Sequence, residues 1–268
     1  MVWQKNCYRI VVKVGTSTLT HDTGAVNIHS MERLVRVLAD LKGYGHEIIL
    51  VTSGAIAVGA AKLTPGSRPS ELRMKQAAAS VGQCQLMHMY DKLFGEYNQT
   101  VGQILLTDAD VADPERSEHL SGTFLALLET GVIPVVNEND SVSSAEIETG
   151  AHKVLGDNDT LSAIVAKLCN ADLLVLMSDI DGLYDSDPHT NPNAKLINRV
   201  EVLSDDITGM AGGVSTNRGT GGMITKISAA SIAMDAGCDM VITNGTRADD
   251  LYDIVAGKDI GTRFVGKK

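Results

Sequence analysis

Two lysines and a set of aspartates carry most of the chemistry open to this chain. Lys13 stands inside an apolar, β-branched run, Tyr8 to Val14, directly ahead of Gly15-Thr16-Ser17. An ammonium inside a strand is costly unless it meets an anion. Lys13 therefore reads either as an edge lysine whose head reaches water, or as a phosphate clamp helped by the backbone N–H groups of Gly15, Thr16 and Ser17. The second lysine, Lys226, closes Gly219-Thr220-Gly221-Gly222-Met223-Ile224-Thr225-Lys226. Glycines let a backbone approach a polyphosphate closely, and a helix starting there favours an anion. Lys226 sits at the end of that helix where a cation is disfavoured, a conflict that a bound phosphate resolves. A flexible surface loop fits the same glycines. The segment is not a Walker A loop, and isoleucine at 224 breaks GxGxxG.

Phosphoryl transfer also needs acids, some to hold Mg²⁺ against phosphate oxygens and some to orient lysines. Asp140, Asp157, Asp159 and Asp179 are the candidates, although Asp157 or Asp159 also fits as a helix cap. Met177 excludes an EF-hand reading of Asp179 and Asp181. Ser53 lies outside any GxSxG elbow and suits hydrogen bonding to a substrate at a strand-to-helix turn. The seven histidines show no metal-binding spacing and are expected at the surface. Cys7, Cys84, Cys169 and Cys238 form no CxxC or zinc pattern and read as buried free thiols of a reducing compartment.

The elements that must position these residues alternate along the chain. Strands are predicted at 8–14, 47–51, 100–106, 132–136, 173–177 and 240–243. Helices are predicted from an N-cap at Ser30 to Gly43, and over 55–63, 71–97, 117–130, 156–169 and from the glycine loop to about 237. Residues 141–155 read as a hairpin or mobile loop. The class is α/β, with an open, mainly parallel central sheet sandwiched by helices. Lys13-Ser17, Thr52-Ala55, Asn137-Asp140 and Ser178-Asp179 all fall at strand C-terminal ends, the ligand side of such sheets.

At 268 residues, with 44% apolar and 21% charged residues, the chain suits a single domain or two intimate lobes. A net charge of −10 argues against a nucleic-acid partner. No apolar run reaches the roughly 18 residues of a membrane span, and no signal sequence opens the chain. No membrane association and a cytoplasmic location are expected.

Taken in order, Lys13–Ser17, Ser53–Ala55, Asn137–Asp140, Gly156–Asp159, Ser178–Gly182 and Gly219–Lys226 resemble the glutamate 5-kinase group of the amino acid kinase superfamily. The likeness spans roughly Arg9 to Phe264. It implies the amino acid kinase fold, with a substrate lobe over about 1–170 and a nucleotide lobe over about 171–268. It also implies transfer from ATP with Mg²⁺ to the side-chain carboxylate of L-glutamate, opening proline biosynthesis. Carried over by position, Lys13, Lys226 and Asp159 are catalytic, Asp159 positioning the two lysines. Ser53, Asp140 and Asn158 contact the substrate. Lys13, Ser178, Asp179, Thr220, Gly221, Gly222, Met223, Ile224, Thr225 and Lys226 contact the nucleotide. Mg²⁺ rides on the ATP phosphates, so no protein metal site is expected.

Proline as feedback inhibitor, a homo-oligomer (dimer or tetramer) and hand-off of product to glutamate-5-semialdehyde dehydrogenase follow from the same resemblance. Two departures stand out: no PUA domain follows the kinase portion, and residues 146–155 are longer than the usual connection. Rival readings are a kinase for N-acetylglutamate or aspartate, a catalytically silent amino-acid sensor on the same fold, and a Rossmann dehydrogenase.

Overall fold

The computed structural model describes residues 7–67, 69–142, 157–188, 190–211 and 222–267. The segment 146–155, Gly219, Thr220, Gly221, His152 and His189 lie outside the described residues.

In chain order, the N-terminal part runs β1 (Arg9–Val14), α1 (Thr16–Leu19), α2 (Ile28–Gly43), β2 (Glu47–Val51), α3 (Ala55–Leu63), α4 (Leu72–Gly95) and β3 (Val101–Leu106). It continues with α5 (Asp108–Ala112), α6 (Pro114–Glu129), β4 (Ile133–Glu138), α7 (Asn158–Leu168) and β5 (Leu173–Ser178). The remainder is β6 (Arg199–Val200), α8 (Asp205–Ala211), α9 (Met223–Asp235), β7 (Asp239–Asn244), α10 (Asp250–Val255) and β8 (Thr262–Phe264). Among the described residues, eight strands form one sheet in the order β3-β4-β2-β1-β5-β7-β8-β6. Every pair is parallel except β7 with β8. Crossovers between parallel strands need connections of a dozen or more residues, which α2, α4 and α7 help supply.

β1 is central, with Lys13 in register with Val51 on one side and Leu176 on the other. An edge-strand account of Lys13 is therefore overturned. Strand residues alternate between faces. Ile10, Val12 and Val14 pack with α2, α4 and α10 residues such as Leu38, Leu86 and Ile254. Val11 packs on the other face with α7 and α9 residues such as Leu161 and Ala230. That period of two places Lys13 on the same face as Val11, against the helices that carry Asp159 and Lys226.

Several local expectations need correction. α2 starts at Ile28, and Asn27 caps it by accepting from the Ser30 N–H at 3.1 Å. Asn and Ser are comparable caps, and here the side chain of Asn27 reaches the third helical N–H. α6 begins at Pro114 behind an Asp113 cap, earlier than the apolar pattern suggested. The short elements α5, β6, α8, α10 and β8 carry too few residues for periodicity to reveal them. His46 is buried, its Nδ1 accepting from the Tyr8 N–H at 3.1 Å. Cys7 and Cys84 are exposed, while Cys169 and Cys238 are buried. Among the described residues, no helix is long and apolar enough to cross a membrane.

Candidate active site

A cleft of about 680 Å³ opens at the C-terminal ends of β1, β2, β4 and β5, within the usual range for small-molecule sites. Lys13, Ser53, Asp140, Asn158, Asp159, Ser178, Asp179 and Lys226 all border it. Residues separated by up to 213 positions thus share one cavity.

Asp159 organises the floor. Asp157 caps α7, its Oδ1 accepting from the N–H groups of Asp159 (2.7 Å) and Thr160 (3.0 Å). That cap fixes the first helical turn and directs Asp159 toward the sheet. One carboxylate oxygen, Oδ1, meets Lys13 Nζ at 2.6 Å as a charge contact rather than an aligned hydrogen bond. The other, Oδ2, accepts from Lys226 Nζ at 3.0 Å and from Thr225 Oγ1 at 3.1 Å. The Asp159, Lys226 and Lys13 side chains are 2%, 6% and 12% exposed. Burial pushes the Asp159 carboxyl up, but the charges of Lys13 and then Lys226 hold it below the usual carboxylate range. Two ammoniums around one carboxylate concentrate positive charge at this point of a chain whose net charge is −10, while Glu138, Asp140, Asp157 and Asp179 border the same cleft. Local cations of this kind attract an anion despite the global charge.

A second cluster lies at the β2–α3 turn. Gly54 sits at φ 92°, a left-handed conformation that glycine adopts without strain. This turn presents Ser53 beside the N-terminus of α7. Asn158 Nδ2 lies 2.7 Å from Ser53 Oγ, 2.8 Å from the Thr52 carbonyl and 3.1 Å from Asn137 Oδ1, its two protons shared among these three acceptors. The Thr52 hydroxyl pairs with the buried Tyr90 hydroxyl at 2.7 Å. Across the cleft, Ser178 Oγ donates to Asp179 Oδ1 at 3.1 Å. The Gly245 N–H donates to the Ser178 carbonyl at 2.6 Å; a Cβ at Gly245 would lie 2.4 Å from Thr18 Oγ1.

The glycine-loop set is divided. Gly222 caps α9 without a side-chain bond, Met223 is buried in the core, and Ile224 is 60% exposed. Thr225 bonds to Asp159, and Lys226 borders the cleft. Glu138, within the Asn137–Asp140 segment, also borders the cleft, as does Lys75, which was not anticipated. Lys75 is on α4, far in sequence from every glycine or acidic motif, so it carried no signal. Among the described residues, no group of three or more His, Cys, Asp or Glu is arranged to hold a metal ion. A Mg²⁺ held chiefly by triphosphate oxygens needs no such protein cluster.

Residues 8–244 match the family described as the amino acid kinase family. Glutamate 5-kinase of Clostridium perfringens (strain 13 / Type A) is 52% identical over 265 residues, 98% of this chain and 97% of the relative. The glutamate 5-kinase of Clostridium tetani (strain Massachusetts / E88) is 53% identical over 260 residues, 97% and 95% of the two chains. Among solved structures, carbamate kinase from Giardia lamblia bound to AMP-PNP superposes with a TM-score of 0.66 at 15% identity, covering 97% of this chain and 99% of that one. Isopentenyl phosphate kinase from T. acidophilum gives 0.62 at 18% identity, covering 96% and 99%. These last two show the fold alone. On the extent of the family match and of its half-identical relatives, the chain belongs to the amino acid kinase family, in the same group as these glutamate 5-kinases.

Proposed function

We propose that the chain transfers the γ-phosphoryl group of ATP to the side-chain carboxylate of L-glutamate, giving L-glutamyl 5-phosphate for proline biosynthesis. The observation that carries this reading is the convergence of Lys13 and Lys226 on the one carboxylate of Asp159 inside the cleft. The identity of the acceptor is supported by relatives about half identical over nearly their whole length.

The chemical obstacle is repulsion between two anions. A carboxylate is already a nucleophile and needs no general base, so the task is alignment and charge neutralisation. Lys13 and Lys226 neutralise the non-bridging phosphoryl oxygens along the in-line path, and Asp159 keeps their ammonium groups together before the nucleotide arrives. Ser53, Asp140 and Asn158 hold the amino acid. Ser178, Asp179 and the segment from Thr220 to Lys226 hold the nucleotide. Mg²⁺ bound to ATP would supply further charge neutralisation at the phosphates beside these lysines. This assigns the substrate to residues of the 1–170 half and most of the nucleotide to the 171–268 half, with Lys13 reaching across. Proline inhibition, assembly into a dimer or tetramer and hand-off to glutamate-5-semialdehyde dehydrogenase rest on the resemblance alone.

The deciding experiment incubates the protein with Mg·ATP, hydroxylamine and a panel of L-glutamate, L-aspartate and N-acetyl-L-glutamate. An acyl phosphate is trapped as its hydroxamate. Glutamate-dependent hydroxamate and ADP release are expected; turnover confined to another acceptor, or none, would overturn the assignment.

A further inference from the structure

The hydrogen bonds behind Ser53 run in one direction, and the direction has a chemical consequence. The Thr52 main-chain carbonyl can only accept, so the Asn158 amide must turn its NH₂ toward it (2.8 Å). The same NH₂ faces Asn137 Oδ1 at 3.1 Å, which turns the Asn137 NH₂ the other way. Asn137 Nδ2 then donates to Gln83 Oε1 at 3.0 Å, and this bond is buried. The chain of amides ends at Gln83 Nε2, a buried donor that meets no acceptor. At the other end, Ser53 Oγ already accepts from Asn158 Nδ2 at 2.7 Å. Its own proton is thereby left to be donated elsewhere, and Ser53 borders the cleft.

Gln83 is held where it is by close helix packing. α3 and α4 meet backbone to backbone: a Cβ on Gly82 would lie 1.8 Å from the Ala55 carbonyl oxygen, and one on Gly59 would lie 1.8 Å from that of Ala78. Ala55 follows the Ser53-Gly54 turn directly, so the register of α4 fixes Gln83 relative to that turn. A buried donor without a partner costs stability. At Gln83 that cost accompanies an acceptor oxygen that orients Asn137.

We propose that Gln83 is a positioning residue for substrate binding. Its Oε1 anchors the Asn137 amide, whose Oδ1 faces Asn158, and so holds in place the amide that leaves Ser53 free to donate toward the carboxylate-bearing substrate. The inference rests on the glutamate kinase reading above and extends it to a residue that borders no part of the main cleft.

The test is Gln83→Met, which keeps the side-chain length and deletes both ends of the amide. The glutamate KM is expected to rise about tenfold, the equivalent of about 1.4 kcal/mol. The ATP KM should stay within about twofold and Tm within about 2–4 °C of the wild type, because the stranded Gln83 donor is exchanged for an Asn137 donor that has lost its acceptor. Added to Ser53→Ala, the same change should raise the glutamate KM by less than about twofold, since the hydroxyl it orients is already absent. An unchanged glutamate KM in folded Gln83→Met overturns the relay. So does a KM effect that multiplies undiminished in the Ser53→Ala background. Failure of the wild type itself to phosphorylate glutamate refutes the assigned reaction instead.

Discussion

Replacing Asp159 by Asn removes one charge while keeping the side-chain shape, and the outcome follows from the geometry around it. The wild-type carboxylate faces ammonium nitrogens at 2.6 and 3.0 Å, all three side chains nearly buried. Breaking a buried pair by deleting one partner costs about 3–5 kcal/mol, because the remaining charge stays uncompensated. Two cations lose their counter-ion here, and the amide retains one acceptor oxygen, so that range is a fair bracket. A chain of this size loses about 2–4 °C of Tm per kcal/mol, so Asp159→Asn should lower Tm by about 6–20 °C in calorimetry. Mg·ATP should raise Tm more in Asp159→Asn than in the wild type, since its triphosphate supplies the missing negative charge. The pH dependence has a definite sign. The folded-state pKa of Asp159 is lowered, so its contribution is complete above the unfolded value of about 4 and disappears as pH falls through the lower folded value. The stability gap between wild type and variant should be constant from about pH 5 to 8 and close only in stronger acid. A Tm loss below about 2 °C, or a gap that narrows at neutral pH, would refute the argument.

Other perturbations separate the roles. Lys226→Ala should lower kcat by about two to four orders of magnitude while glutamate still binds, as expected for stabilisation of transition-state charge; near-normal turnover would remove it from the mechanism. Asp140→Ala should chiefly raise the glutamate KM, measured by the hydroxamate assay at saturating ATP, and an unchanged KM would strike it from the substrate contacts. Gly82→Ala forces a methyl group into the Ala55 carbonyl; overpacking of this kind costs about 1–3 kcal/mol or more. Its Tm should fall, and its glutamate KM should rise with the displacement of Gln83.

The layout of the site was legible because its chemistry sits at the ends of strands with strong apolar patterns. Tyr8–Val14 and Leu173–Met177 announce themselves as strands, and the polar residues after them had nowhere to go but the ligand side of the sheet. Lys13 was ambiguous until the strand order placed β1 at the centre and the alternation of Val11 and Lys13 aimed its side chain at α7 and α9. Helix-start chemistry fits Asp157 and Asp159 alike as caps, and in the sequence only the family resemblance singled out Asp159 as the lysine partner. Gln83 left no trace. Its partner Asn137 is 54 positions away, and a glutamine in an alanine-rich helix has no periodic or motif signature. The small residues around it, Ala78, Ala79 and Gly82, were the one hint that another backbone passes close by.

The most direct measurement is a crystal structure of the protein with Mg·AMP-PNP and L-glutamate. The account predicts the Nζ atoms of Lys13 and Lys226 within about 3.5 Å of β- or γ-phosphate oxygens, with the glutamate side-chain carboxylate in line with the γ-phosphorus and Ser53 donating to the amino acid. A triphosphate that engages neither lysine, or a glutamate bound outside the cleft, would contradict it.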